Sequence, residues 1–345
     1  MSRTSEGEMM CRKRARISEL EVDRFECLPD DIVSVILAKL SFSADSPSDF
    51  VSALLTCTRL NRLGQQPAVL KEAGMNTVAV RAKNWSDSAE RFLCACINAG
   101  SNEASYFLGM IRFYCMEDKV NGKQMIYKAA IEDHAPALYS LAIIKFNGSE
   151  GSKECRNIPT ACALCALAAD QGSADALREL GYCFQDGYGL RKSVVRGKNL
   201  LMQANALEAA CAIRASPERL QLESKLSAIM SFKAAPGANP GLGRAYWTET
   251  GFQMGPREKH PANRFLLEWF ENKTGRVGLG FCSDSICGRP ETRENEFRKC
   301  AGCGDVKYCS RGCQAHDWKV RHKVECSTVP PFYLHQAVDG DQDQN

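Results

Sequence analysis

The sequence predicts a mainly α-helical chain in three successive parts: a short N-terminal helical unit, α-solenoid-like helical repeats, and a small C-terminal finger. Three observations carry this expectation. Apolar residues between Leu28 and Leu63 recur at helical spacing. A short Ala/Leu motif returns in the middle of the chain at steps of 33 and 39 residues. Eight residues of metal-ligand type crowd into residues 282–326.

Composition narrows the functional classes. With 345 residues the chain has room for two or three domains, and 44% apolar and 25% charged residues are ordinary for a soluble protein. The longest apolar run, near Ala161–Ala169, is about half the roughly 18 residues needed to span a bilayer, so no membrane partner is expected. The N-terminus is polar and basic and lacks the apolar core of a secretory signal. A formal charge of +3 is too small to argue for nucleic acid. Of 18 cysteines, seven fall between Cys282 and Cys326 with two of the five histidines; the other eleven lie mostly in apolar helical stretches. Such usage without a secretory signal points to thiols and a metal site inside the cell, in nucleus or cytoplasm, and not to a disulfide framework.

Residues 1–22 form a polar tail expected to be disordered. Its cluster Arg12-Lys13-Arg14-Ala15-Arg16 reads as a solvated basic tail or as a nuclear import signal. Order begins in a unit spanning 23–72. Pro29 suits a helix start, and Asp30 and Asp31 complement the positive end of the helix dipole. Ile32, Val33, Ile36, Leu37 and Leu40 follow as an apolar stripe. After the polar break Ser43–Asp49, a second helix is expected to carry Phe50, Val51, Leu54, Leu55, Cys57, Leu60 and Leu63. So small a unit cannot bury all its apolar surface alone, and some of it is expected to meet a partner.

Leu28-Pro29-Asp30-Asp31-Ile32-Val33, then Ile36-Leu37-Ala38-Lys39-Leu40, then Cys57 and Leu60, resemble an F-box. The resemblance implies docking on the Skp-type adaptor of a cullin–RING ubiquitin ligase through Leu28, Pro29, Ile32, Ile36, Leu37 and Leu40. The tryptophan that many F-boxes carry in the second helix is absent here.

Helical repeats are expected over 85–230. Ala104-Ser-Tyr-Phe-Leu108-Gly109 recurs as Ala137-Leu-Tyr-Ser-Leu141-Ala142 and as Ala176-Leu-Arg-Glu-Leu180-Gly181. An Ala-Ala pair precedes each later copy, with Ala130 and Ala169 each seven residues ahead of it. Small residues there let the helices of a hairpin approach closely. Asp186-Gly187-Tyr188-Gly189-Leu190 reads as the turn between hairpins. The pattern is similar to tetratricopeptide-like repeats of the secretion-suppressor-of-lin type, which implies a solenoid offering its concave face to a protein. Cys162-Ala-Leu-Cys165 has the spacing of a redox or metal pair. It sits in a small-residue helix with no second pair and no strand pattern nearby, so it reads as helix packing.

Residues 231–280 read as a Pro/Gly-rich linker containing one short helix, Pro261–Phe270. Gly241-Leu-Gly243 follows no strand pattern and opens no helix, so it is no phosphate loop. The finger spans 281–326, and residues 336–345 form a polar tail expected to be disordered.

The ligand-type residues are Cys282, Cys287, Cys300, Cys303, Cys309, Cys313, His322 and Cys326, with 4, 12, 2, 5, 3, 8 and 3 residues between successive members. Thiolate and imidazole are the donors zinc prefers, four to an ion, so four pairs make two sites. Gly302 lets Cys300-Ala-Gly-Cys303 bend into a knuckle whose amides can turn toward the sulfurs. Cys309/Cys313 and His322/Cys326 are four apart, one helical turn each. With four protein ligands per ion, neither site leaves a position for water, so no catalytic zinc is expected. Nine Lys/Arg against seven Asp/Glu in 282–326 leave no basic stripe for phosphates, and no direct contact with nucleic acid is expected.

The cluster resembles the MYND finger down to Lys307-Tyr308-Cys309-Ser310, Cys313-Gln314, Asp317-Trp318 and His322-Lys323. The resemblance implies a cross-brace. Cys282, Cys287, Cys309 and Cys313 would hold one zinc; Cys300, Cys303, His322 and Cys326 would hold the other. It leaves out His316, a rival by residue type. It also implies binding of a proline-containing peptide at Gln314 and Trp318, on a helix expected over 310–326. The first pair has four intervening residues where two are common.

The order of parts resembles plant F-box proteins ending in a MYND finger. That implies a non-catalytic substrate receptor of a Skp–cullin–F-box ubiquitin ligase, holding the adaptor at one end and a protein target on repeats and finger. The alternative is a MYND-containing transcription or chromatin scaffold. MYND fingers also accompany SET methyltransferase domains, but helical repeats stand in that place here.

Overall fold

The computed structural model describes residues 27–214, 260–271 and 279–326, with side chains of 211–214 left aside. The Arg12–Arg16 cluster, most of the linker with Gly241-Leu-Gly243, and the 336–345 tail lie outside the described residues.

Helix α1 runs Asp30–Ser43, with Pro29 at its cap. Asp30 does more than meet the helix dipole: it accepts from Arg59 at 2.8 Å and Arg62 at 2.7 Å, pinning the start of α1 to a later helix. The single second helix expected from Phe50 to Leu63 is two, α2 (Pro47–Leu54) and α3 (Thr58–Gly64). Local side-chain bonds compete with the helix at this point. Thr56 Oγ1 donates back to Ala53 O, and Cys57, in extended backbone, accepts from the amide of Leu60 at 3.4 Å and so caps α3. A short α4 (Pro67–Leu70) follows. Val33, Leu37, Phe50, Leu54, Leu63 and Val69 form the inside of this unit.

The repeats consist of α5 (Asp87–Ala99), α6 (Asn102–Tyr114), α7 (Lys119–Ile131), α8 (Ala135–Asn147), α9 (Ile158–Asp170), α10 (Ala174–Asp186) and α11 (Val194–Arg214). Leu108, Leu141 and Leu180 fall at the seventh residue of α6, α8 and α10, so the motif marks one structural position. Three residues before each motif alanine, Ser101, His134 or Ser173 caps the helix by accepting from that alanine's amide.

The extensive packing joins α6 to α7, α8 to α9 and α10 to α11. The hairpin turn Asp186–Leu190 therefore lies inside a hairpin and not between two. Gly109 and Gly122 make the first of these contacts possible. A Cβ on Gly122 would stand 2.5 Å from Phe113 N and 2.8 Å from Gly109 O. Gly181 and Gly197 repeat the arrangement between α10 and α11, where a Cβ on Gly197 would stand 2.6 Å from Gly181 O.

Helices α7, α9 and α11 show apolar side chains to solvent, among them Tyr127, Leu167 and Val195. Helices α6, α8 and α10 do not. From Ala104 to Ile111, Ala137 to Ile144 and Ala176 to Gly181 every residue is buried. A helix covered on all sides needs a second neighbour beyond its hairpin mate. Adjacent repeat helices give part of that cover and the chain's own C-terminal part the rest: α12 (Pro261–Glu271) on α6, α13 (Arg311–Asp317) on α10, and, on α8, the segments that flank the ribbon of β1 (Arg298–Lys299) and β2 (Lys307–Tyr308).

Two expectations change as a result. The face that a solenoid was expected to offer a partner is occupied from within. The short helix is also no part of a free linker. Phe265 of α12 sits edge-on to Trp85 at 5.4 Å and to Phe107 at 5.9 Å. Glu268 accepts from the amide of Ala82 and pairs with Arg81, and Asn263 donates to Ile286 O.

Candidate metal centre

The finger begins with a loop closed by a bridge between Phe281 and Pro290. The amide of Cys282 donates to Arg289 O and that of Cys287 to Asp284 O, which turns both sulfurs to the same side. β1 and β2 pair antiparallel, Arg298 opposite Tyr308 and Lys299 opposite Lys307. Their turn carries Cys300 and Cys303, closed by Cys300 N to Val306 O and Gly304 N to Cys300 O. Cys309 leaves β2 directly into Ser310, whose hydroxyl accepts from the amide of Cys313 at 3.0 Å and caps α13. The helix expected over 310–326 is α-helical only to Asp317. It widens into a π turn over Trp318–His322 and ends in α14 (Lys323–Glu325). A π turn shifts the residues after it around the axis, and here it falls on the segment that delivers His322.

Two groups of four result: Cys282, Cys287, Cys309 and Cys313, and Cys300, Cys303, His322 and Cys326. Within each, all ligand atoms lie inside 4.8 Å of one another. Cys287 Sγ is 3.5 Å from Cys309 Sγ and Cys309 Sγ 3.6 Å from Cys313 Sγ. Cys300 Sγ is 4.0 Å from Cys326 Sγ, and Cys303 Sγ 3.5 Å from His322 Nε2. A tetrahedron with Zn–S bonds of about 2.3 Å has S···S edges of roughly 3.8 Å, whereas a disulfide needs about 2.05 Å. The separations fit zinc and exclude disulfides.

The surroundings divide the thiols: burial, then neighbouring sulfurs, push Cys282 up, neighbouring sulfurs, then burial, push Cys313 up, and burial with the Cys300 and Cys303 sulfurs raises Cys326 to about 11, whereas two others fall. Burial pushes the Cys300 thiol up, but the amides of Cys303 and Gly302 and the His322 ring outweigh it and bring it down to about 6. Neighbouring sulfurs hold Cys287 well below a free thiol, with Arg289 assisting. Tyr308 is fully buried and donates to Asp317 at 2.7 Å, and Arg321 donates to the same carboxylate, bracing the π turn. Both groups have the donor set and spacing of closed, four-ligand structural zinc sites.

His316 belongs to neither group; its Nδ1 lies 2.8 Å from Asp284 Oδ1. Gln314 is half-buried, and Trp318 is 41% exposed with its ring edge-on to His322 at 5.8 Å. At the other end of the chain the expected adaptor contacts divide. Pro29, Ile32 and Ile36 are exposed, and Leu28 and Leu40 are half-buried. Leu37 is 3% exposed and packs inward beside Val33, four residues earlier on the same face, so it is core and offers no contact.

The sequence reading missed the seam between finger and repeats. Tyr106, Tyr139 and Arg178 precede the repeat leucines by two residues; Phe107, Ser140 and Glu179 precede them by one. Each of the latter trio meets a different C-terminal segment. Phe107 packs on Phe265, and Ser140 accepts from Arg289 Nη2 at 2.8 Å. Glu179 Oε2 accepts from the amides of Arg311 at 2.9 Å and Gly312 at 3.1 Å, the free donors at the start of α13. Tyr139 donates to Ser310, Asn147 donates to Cys309 O at 2.9 Å, and Ser149 donates to the buried Glu296. Burial raises the Glu179 carboxyl, with the two amides, Arg311 and Arg298 opposing it. A sequence signal existed: a position that changes from Phe to Ser to Glu within one repeat register is not packing against its own hairpin.

Comparison with known proteins agrees with this division. A model of the MYND finger matches residues 282–326, and a model of plant tetratrico peptide repeats matches 76–179. One F-box protein of Arabidopsis thaliana is 51% identical over 324 residues, 92% of this chain and 90% of that protein. A second F-box protein of the same plant is 47% identical over 313 residues, 89% of this chain and 81% of that protein. A solved Escherichia coli protective antigen displaying an SLR fold is similar at a TM-score of 0.40 and 16% identity, over 62% of this chain and 51% of that one.

Proposed function

This chain belongs to the family of those plant F-box proteins, and from that premise we propose that it is a non-catalytic substrate receptor of a Skp–cullin–F-box ubiquitin ligase. On this reading the N-terminal helices hold the ligase adaptor while repeats and finger hold a protein target, in the nucleus or the cytoplasm. The receptor performs no bond chemistry. Its contribution is proximity, which turns an encounter between the ligase and its target into an event within one complex.

One observation carries the adaptor half of the reading. Helix α1 turns Val33 and Leu37 into the core and leaves Ile32, Val35 and Ile36 at 44%, 53% and 40% exposure. Val51 and Leu55 on the following segment are exposed as well. Burying one such side chain against a partner is worth about 1.5–3 kcal/mol, so a few suffice to anchor an interface. Ile32→Glu with Ile36→Glu should abolish co-purification with a Skp-type adaptor while the chain keeps two zinc ions. Wild-type protein that captures no such adaptor would sink the ligase reading and leave the transcription or chromatin scaffold as the better account.

A further inference from the structure

A cavity of about 200 Å³ opens at the seam between the repeats and the finger. It is smaller than the roughly 300–1,000 Å³ of a drug-sized or cofactor pocket, which restricts an occupant to about one side chain. Phe146 and Tyr188 stack at 6.0 Å along one wall, and Phe297 of the finger contributes to another. These surfaces suit the methylene stem of a side chain. Three arginines, Arg156, Arg298 and Arg311, also line it.

The acids around the cavity are already engaged. Glu179 accepts from two amides of α13, and Glu296 accepts from Ser149 and the amide of Thr292. Asp186 pairs with Arg311 at 2.7 Å, whose guanidinium lies 5.3 Å from the Tyr188 ring. Arg156 uses its Nε on Asn147 O at 3.4 Å, which leaves both terminal nitrogens as donors. Arg298 stands on the exposed edge of β1; its charge reaches the buried Glu179, but among the described residues no salt bridge joins it to an acid. A guanidinium fork presents parallel N–H groups that match a carboxylate or phosphate. One such fork comes from the repeats and one from the finger.

We propose that this seam cavity is an anion-anchoring subsite that takes an acidic or phosphorylated side chain of an extended protein segment. Its stem would rest on Phe146 and Tyr188, and its anion would lie between Arg156 and Arg298. That the segment belongs to a target protein rests on the receptor reading; the subsite itself does not.

The test uses full-length, zinc-loaded protein and three peptide libraries with degenerate flanks around a fixed phosphoserine, glutamate or serine. Immobilised protein should retain the phosphoserine or the glutamate library at least about tenfold over the serine library. Retention of both anionic libraries identifies a general acidic subsite; retention of the phosphoserine library alone identifies a phosphate subsite. Arg298→Glu and, separately, Arg156→Glu should abolish the preference, each variant keeping two zinc ions and wild-type thermal stability. Lys83→Glu, the same charge change on an exposed residue elsewhere, should leave it intact. Equal retention of the three libraries overturns the proposal, and so does a preference that survives both arginine variants or that Lys83→Glu also removes. Adaptor capture is measured on the same preparations. Its absence from wild type counts against the receptor reading and leaves the library result standing on its own.

Discussion

Replacing Arg289 with methionine should strip one zinc site of affinity and spare the other. Arg289 is 4% exposed; its Nη2 donates to Ser140 on α8, and its Nη1 lies 3.7 Å from Cys287 Sγ. Burial alone would pull the guanidinium's pKa down, but the Cys287 and Cys309 thiolates hold it well above its ordinary value. Four thiolates around one dication leave two net negative charges on the Cys282/Cys287/Cys309/Cys313 site, and Arg289 is the buried cation beside them. Removing the partner of a buried charge costs about 3–5 kcal/mol, most of it from the charge left behind. Zinc exchange can relieve part of that cost, so the loss should appear as a roughly 10–100-fold weaker first site, the range typical of residues that support metal ligands. Titration with a chromogenic chelator should show the first zinc leaving early and the second, at Cys300/Cys303/His322/Cys326, leaving at wild-type chelator concentration. Arg289→Lys should fall between, because a point ammonium cannot reach Ser140 and Cys287 together. Equal loss at both sites, or wild-type retention at both, would refute the assignment of Arg289 as counter-ion.

Other perturbations probe separate parts of the molecule. Burial brings the His260 ring down to about 4, with Glu103 opposing and His134, Arg289 and Arg264 assisting. Its folded pKa is thus below the unfolded value of about 6.5, so this stability is full above that pH and is lost as pH falls toward 4, at about 1.4 kcal/mol per unit. Urea unfolding between pH 7.5 and 5.5 should show that slope beginning near 6.5, and His260→Asn should flatten it. Gly122→Ala should lower the melting temperature, because about 1–3 kcal/mol of overpacking against Phe113 and Gly109 exceeds the roughly 1 kcal/mol gained in helix propensity. A rise would disprove the close approach. Trp318→Ala should weaken binding of a proline-containing peptide by at least about tenfold, or ~1.4 kcal/mol, with both zinc ions retained. If zinc is lost instead, the exposed indole is a packing residue and the peptide face is not there.

What could be read in advance depended on whether the physics was local. The eight ligands were legible because metal coordination needs particular donor atoms at short separations, and chain spacing reports that directly. Leu108, Leu141 and Leu180 were legible because a repeat places equivalent residues in equivalent surroundings. Leu37 was not separable from Ile32 and Ile36, since a helix stripe reveals apolar residues but not which of two neighbouring surfaces takes them. The break before α3 turned on Thr56 and Cys57 preferring side-chain bonds to helix continuation. Arg289 and Glu179 were invisible for a different reason: their partners are 149 and 132 residues away in the chain. A fully apolar stretch such as Leu141–Ile144 did carry a hint, because a helix with no polar face has to be covered twice.

The return of α12 to the first hairpin changes how the repeats hold together. An open array behaves as a row of units coupled only to their neighbours, so its ends fray independently of each other. Here Phe265 packs the opening of the array against α12, and the segments beside Cys287 and Cys309, both at one metal group, hold the middle and far end. The row is closed into a ring of contacts. Fraying at α5 and α6 then requires release of α12, and loss of metal from the finger removes one wall from α8 and α10 at the same time. Opening events that would be separate in a linear array become a single cooperative one, and amide exchange at Leu108 becomes a distant reporter of whether Cys309 still holds its ion.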